Sequence, residues 1–326
     1  MTKPAIGPAM AGGSALGAEA RVSTRVVLAA LLGDLVIALI KFSAFALTRS
    51  TAMLTEAIHS LVDTADQLLL LVGQARASRP PDESHPFGYG MEAYFWSFIV
   101  ALMIFTVGGA LSVWEGFEKV LAPQPIGRPW INLVVLVLSA VAEGATFCIG
   151  YRAYRRIAKG RLVRGRKVGL WHFLRISKDP SLYTTLLEDG AALTGLSLAA
   201  LGVIGAFWLH LPWADGAASM AIGLLLIAVA AFMANETRSL IAGEAAASPV
   251  VEEIVTALGG DPRITRIVQV ASLQLGPQNI LLAVTLKFRA DLDSEDLQAA
   301  ADALTARARA IEPRIRDVFL RFDGEP

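Results

Sequence analysis

Four residues open the question of chemistry. Glu56, His59, Asp63 and Asp66 fall within the apolar stretch AMLTEAIHSLVDTADQLLLLVG. Their steps of three and four place all four side chains on one helical stripe. His59 and Asp63 are one turn apart, so a nitrogen and a carboxylate oxygen can meet on one metal ion. Ionisable groups in an apolar helix are costly in lipid and usually face a bundle interior or a water-filled cavity. Zinc takes about four ligands in a tetrahedral set, so a second helix must complete the site. The acidic pair Glu188–Asp189 lies in another apolar stretch at similar estimated depth. Asp189 is the best partner there. Glu188 is about 100° away around the helix but has a longer side chain. Thr185, one turn before Asp189, offers a hydroxyl as a weak ligand or only a hydrogen bond. The fourth ligand is therefore Glu188 or Thr185. Alternatively, the carboxylates pair with Lys41 and backbone groups and serve packing alone.

The elements that must carry these residues are membrane spans. The chain is 54% hydrophobic and 18% charged, against about 25% charged for a soluble domain. Six segments are long and apolar enough to cross about 30 Å of hydrocarbon as helices: roughly 25–48, 52–75, 94–118, 130–152, 182–208 and 214–236. Asp34 and Lys41 share a face of the first, either lining the site or locking helix packing. Glu143 sits mid-span in the fourth, and Asp215 near the interfacial start of the sixth. Small residues crowd the fifth and sixth and permit close helix approach. Residues 1–22, rich in Ala and Gly and without a signal-peptide pattern, read as a flexible tail, and 23–243 as the membrane domain.

The loop 151–180 contains ten Lys and Arg residues. Arg76 and Arg79 mark the loop between the second and third helices. The positive-inside rule puts both loops, and with them both termini, in the cytoplasm. Such a basic run between two spans reads as a topology signal or a contact with anionic lipid, and not as a nucleic-acid site. The lone Cys148 excludes a disulfide framework and reads as a small buried residue. His172 and His210 read as solvated or interfacial.

Residues 244–326 change character. Ser248-Pro249 marks a helix start, and Gly259-Gly260 its end. Ile264–Leu275 and Ile280–Arg289 read as strands around the turn Gly276-Pro277-Gln278-Asn279. Asp293 or Ser294 opens a second helix to about Ile311, and Asp317–Phe322 a third strand. The order α-β-β-α-β is a small α+β domain with helices on one face of a sheet.

The stretches TEAIHSLVDTADQLLLLVG, RPPDESHPFGYGMEAYFWSFIVALMIFTVGG and SVWEGFEKV resemble the cation diffusion facilitator family of zinc/proton antiporters, over residues from about 25 to the end. The resemblance implies six transmembrane helices and a cytoplasmic metallochaperone-like α-β-β-α-β domain. It also implies a homodimer in the lipid bilayer, and no enzymatic activity. Zn2+, or Co2+, Mn2+ or Fe2+, would be a transported substrate exchanged for protons, with no prosthetic group. His59 and Asp63 match the family's ligand pair on the second helix, and Asp189 its final ligand on the fifth. Thr185 stands where the family has His or Asp, with Glu188 as the substitute. Asp82 and His85 match a second family site in spacing, but Tyr89 replaces its second His, so His85 reads as orienting the HPFGYG turn. The soluble domain lacks His and Cys, and so lacks the zinc sites some members carry there.

Metal ligands must be deprotonated, so metal binding and proton binding oppose one another. Imidazole is the side chain that titrates near physiological pH, which makes His59 the coupling group. Glu56 and Asp66 read as path or packing residues, with Glu143 and Asp34 along the path. Ala- and Arg-rich usage is compatible with a bacterial inner membrane. The competing class is a membrane scaffold or sensor whose acidic residues only pack helices. An intramembrane hydrolase is a third class, and no H-E-x-x-H pattern occurs.

Overall fold

The computed structural model describes residues 13–48, 51–123, 129–159, 162–163, 166–167, 169–170, 174 and 178–323. The expectations for His172 and for residues 1–12 lie outside this range. The chain divides by residue contacts into Ser23–Ala242 and a unit containing Gly243–Pro326.

The first unit is helical: α1 (Gly13–Thr48), α2 (Thr51–Ala77), α3 (Glu92–Met103), a π-helical turn (Ile104–Ala110), α4 (Leu111–Leu121), α5 (Pro129–Lys159), α6 (Pro180–Phe207) and α7 (Ala214–Ile241). A two-stranded ribbon, β1 (Leu162–Val163) with β2 (Arg166–Lys167), lies in the basic loop. Among the described residues, five helical stretches are long and apolar enough to cross a membrane: Val22–Leu47, Glu92–Leu121, Trp130–Ile157, Pro180–Phe207 and Ala214–Ile241. Helix α2, expected as a further span, has 27 residues and is not among them. That length spans about 40 Å at 1.5 Å per residue, but its polar stripe sets it apart in composition.

Burial is inverted relative to a water-soluble bundle. Leu32, Val141, Leu201 and Leu224 are 58–68% exposed, whereas Asp34, Asp66, Glu143 and Asp189 are at most 9% exposed. Apolar side chains cover the outside and charges lie inside, the arrangement lipid demands. Cys148, expected buried, is exposed on α5, where a small apolar side chain can face hydrocarbon. Residues 13–22, expected as tail, are the first turns of α1. The good helix formers of ALGAEAR explain the extension. Asp179 caps α6 by accepting from Ser181 N at 3.2 Å, and Pro180 sets the first turn, so this helix starts earlier than expected.

Glycines set the tightest contacts. A Cβ on Gly223 of α7 would meet Gly109 O and Val113 N at 2.7 Å, and one on Gly116 would meet Met220 N at 2.6 Å. On the other side of the bundle, a Cβ on Gly33 of α1 would meet Thr146 Cγ2 of α5 at 2.6 Å. This last approach brings Asp34 beside Glu143.

The second unit contains α8 (Ser248–Gly259), β3 (Ile264–Gly276), β4 (Asn279–Phe288), α9 (Ser294–Ile311) and β5 (Ile315–Phe322). This is the α-β-β-α-β order. The sheet runs β3-β4-β5, with β3/β4 antiparallel and β4/β5 parallel. Helix α9 makes the crossover a parallel pair requires. Ile280, Leu282, Val284 and Leu286 of the central strand pack with Ile254, Leu258, Leu304, Ala308 and Ile315 in one core. Asp293 caps α9 through Asp296 N at 2.8 Å. At α8 the cap position belongs to Ala247, with no side-chain bond, and Ser248 is the first helical residue, so the helix opens one position earlier than a Ser248 cap would place it.

Candidate metal centre

Helix α2 packs against α3, the π-turn and α6, and α6 packs against α5 and α7. The α2 stripe therefore looks into the bundle. Among the described residues, one set of three His, Cys, Asp or Glu ligand atoms lies within 4.8 Å of one another: Asp63 and Asp66 of α2 with Glu188 of α6. Asp66 is 1% exposed. Asp66 Oδ1, Glu188 Oε1 and Asp189 Oδ2 are buried without a hydrogen-bond partner among the described residues. Asp34 is within electrostatic reach of Glu143, Asp63, Asp189 and Asp66, and Glu143 is within reach of Asp189, Asp63 and Lys41. Six carboxylates from α1, α2, α5 and α6 thus share one interior region with Lys41.

The residues expected to bind metal separate in space. Asp63 and Glu188 come together. Asp189 is buried, with the Thr146 hydroxyl in hydrogen-bonding reach, and stands outside the trio. His59 is also outside it. Its Cε1 lies 3.8 Å from where a Cβ on Gly108 would sit, so the imidazole faces the π-turn. The seven-residue π-turn and its two glycines leave room there; π-turns recur at functional sites. Glu56's side chain lies outside the described residues.

Thr185, the alternative fourth ligand, is fully buried and has its hydroxyl engaged. It donates to Ser181 O at 3.0 Å and approaches Gln67 Oε1 at 3.5 Å. Gln67 in turn donates from Nε2 to Glu188 Oε2 at 2.7 Å. Glu188, not Thr185, faces the other carboxylates. Two participants were undervalued in the sequence. Asp66 shares the stripe at one turn beyond Asp63 and reads there as path or packing, but its carboxylate belongs to the same trio as Asp63's. Gln67 escapes notice because a single amide in an apolar helix has no spacing signal.

The loop after α2 is a hydrogen-bonded turn. Asp82 accepts from Tyr89 Oη at 2.6 Å, Ser84 Oγ at 2.7 Å, His85 N at 2.8 Å and Ser84 N at 2.9 Å. These bonds, that of Tyr89 foremost, hold the Asp82 carboxyl well below the usual carboxylate range. His85 stacks on Tyr89 with ring centroids 4.0 Å apart.

Comparison with known proteins agrees with this architecture. The family model for the cation efflux transmembrane domain matches residues 27–242. The human protein "Proton-coupled zinc antiporter SLC30A9, mitochondrial" is 33% identical over 253 residues, covering 78% of this chain and 43% of that protein. Metal tolerance protein C4 of Arabidopsis thaliana is 28% identical over 273 residues, covering 83% of this chain and 57% of that protein. Magnetosome protein MamM of Magnetospirillum gryphiswaldense is 28% identical over 212 residues, covering 62% of this chain and 59% of that protein. The chain thus spans less than half the length of the human relative it matches. With its membrane unit matched nearly end to end, and a family of transporters rather than enzymes, the chain belongs to the cation efflux family, the cation diffusion facilitators.

Proposed function

We propose that this protein exports a divalent metal cation, zinc foremost, from the cytoplasm in exchange for protons. The observation that carries the proposal is the meeting of Asp63 and Glu188 inside an apolar bundle, with Asp189 buried on the same helix as Glu188, and with Glu188 Oε1 and Asp189 Oδ2 lacking hydrogen-bond partners among the described residues. Buried carboxylates without cationic partners are costly, and a divalent ion offsets that cost. In this proposal His59, Asp63, Asp189 and Glu188 bind the ion. Asp63 and Asp189 neutralise its charge, and His59 couples binding to the proton gradient, because a protonated imidazole cannot ligate. Movement of α2 and α6 against the remaining helices would expose the ion alternately to the two sides. The relatives' names support the cargo: a proton-coupled zinc antiporter and a metal tolerance protein.

The assembly proposed with it is a homodimer in a bacterial inner membrane, with the basic loops and both termini cytoplasmic. The residue ranges proposed are 23–243 for the transport domain and 244–326 for the cytoplasmic dimerisation domain.

The test is zinc uptake into proteoliposomes under an imposed pH gradient, for wild type, Asp63→Ala and Asp189→Ala. Wild-type flux that follows the gradient and is lost in both variants supports the proposal. Flux persisting in both variants removes the assigned residues. No flux for Zn2+, Co2+, Mn2+ or Fe2+ returns the protein to the scaffold class.

A further inference from the structure

We infer that Asp66 is itself a ligand of the transported cation, completing with Asp63 and Glu188 an all-carboxylate binding position one turn along α2 from His59. The inference rests on the transport reading and adds to it a residue and a ligand class.

Three observations carry it. The ligand atoms of Asp63, Asp66 and Glu188 lie within 4.8 Å of one another. Oxygens sharing an ion at about 2.1 Å each are about 3–4 Å apart, so shifts on the order of an ångström close the trio around a cation. Next, Asp66 is 1% exposed and its Oδ1 has no hydrogen-bond partner among the described residues. A packing role predicts a satisfied carboxylate, because an unsatisfied buried one costs stability. Finally, the Glu188 end is held in place. Gln67 Nε2 donates to Oε2 at 2.7 Å, which leaves Oε1 as the unpartnered oxygen. Gln67 acts here as a positioning residue.

The trio also sets a chemical class. Three carboxylates and no imidazole or thiolate favour harder divalent ions such as Mn2+ and Fe2+ more than a His-containing set does. Asp63 and Glu188 are common to the trio and to the His59-containing set. A cation can therefore pass from one position to the other without losing the Asp63 and Glu188 oxygens.

The test uses the purified full chain in detergent, titrated with Mn2+ and, separately, with Zn2+, reading affinity and the metal-induced rise in thermal unfolding midpoint. Asp66→Asn keeps the shape and removes the charge; Asp66→Glu keeps the carboxylate. The expected result is a loss of Mn2+ affinity of about 10- to 100-fold in Asp66→Asn, with binding largely retained in Asp66→Glu. The metal-free midpoint of Asp66→Asn should be unchanged or higher, since the charge on a carboxylate with an unpartnered buried oxygen has been removed. Wild-type Mn2+ affinity in Asp66→Asn overturns the proposal. So does a metal-free midpoint lowered equally in both variants, the signature of packing, and so does a wild type that binds Zn2+ but not Mn2+. Asp63→Asn and Asp189→Asn separate the two levels. If Asp66→Asn alone binds as wild type, the proposal falls and the transport site stands. If all three bind as wild type, both fall.

Discussion

Gln67 and Glu188 join α2 to α6 through one hydrogen bond, from Gln67 Nε2 to Glu188 Oε2 at 2.7 Å. Thr185 meets the other end of the same amide, 3.5 Å from Oε1. A buried carboxylate that loses a donor is less well placed and less well stabilised, and hydrogen bonds to charged groups are worth about 1.5–3 kcal/mol. Gln67→Leu keeps the helix apolar and removes both ends of the amide. Cation affinity should fall by about tenfold, since about 1.4 kcal/mol is a factor of ten. Isothermal titration of the purified protein with Zn2+ checks this. Unchanged affinity would show that the bond does not position Glu188 for binding.

The glycine contacts make a prediction about stability that is independent of transport. A Cβ on Gly223 meets backbone atoms at 2.7 Å, which no rotamer change relieves, whereas one on Gly144 meets nothing within 4 Å. Gly223→Ala should therefore destabilise the bundle by about 1–3 kcal/mol, the usual cost of overpacking. Gly144→Ala should be neutral or slightly stabilising through helix propensity. Thermal unfolding midpoints in detergent check both, and equal midpoints would contradict the close α4–α7 approach.

Helix existence was legible because lipid imposes about 20 apolar residues per span, and the second unit because its strands alternate with period two between Gly and Pro signals. Leu282, Val284 and Leu286 are buried, as that period requires. Rotation of one helix against another leaves no mark in a single sequence. Spacing put His59, Asp63 and Asp66 on one stripe, but it did not tell which of them meets Glu188 or that His59 turns toward Gly108. The π-turn at Ile104–Ala110 is also silent. One extra residue per turn changes neither composition nor length enough to show, and only the Gly108-Gly109 pair hints at it.

The turn after α2 should behave as structure and not as a metal site. Asp82 has four donors and His85 is stacked on Tyr89. His85→Ala should leave the zinc stoichiometry of the purified protein unchanged, as metal analysis after equilibrium dialysis would show. Asp82→Ala should instead raise protease cleavage between residues 78 and 91 by freeing the turn. Loss of one bound zinc in His85→Ala would restore the second site to this loop.

In the second unit, Asp261 gives a pH dependence with a definite sign. Its carboxylate is 3% exposed and accepts from Arg263 Nε at 2.9 Å and from Arg263 Nη2 at 2.9 Å, with Arg307 Nη1 at 3.8 Å. The Arg263 hydrogen bonds, reinforced by the charges of Arg263 and Arg307, pull its pKa down to about 2. A group depressed in the folded state stabilises it above its unfolded pKa, near 3.9, and loses that contribution as pH falls through the folded value. The contribution is thus complete at neutral pH, begins to fade near pH 4 and is gone below about pH 2. Its size is on the order of 2 kcal/mol from a shift of roughly two units. Asp261→Asn should lower hydrogen-exchange protection of peptides within residues 250–322 at pH 7 by that amount. The gap between wild type and variant should close on acidification from about pH 4 towards pH 2. A gap that persists at pH 2 would assign the loss to packing and not to the Asp261 charge.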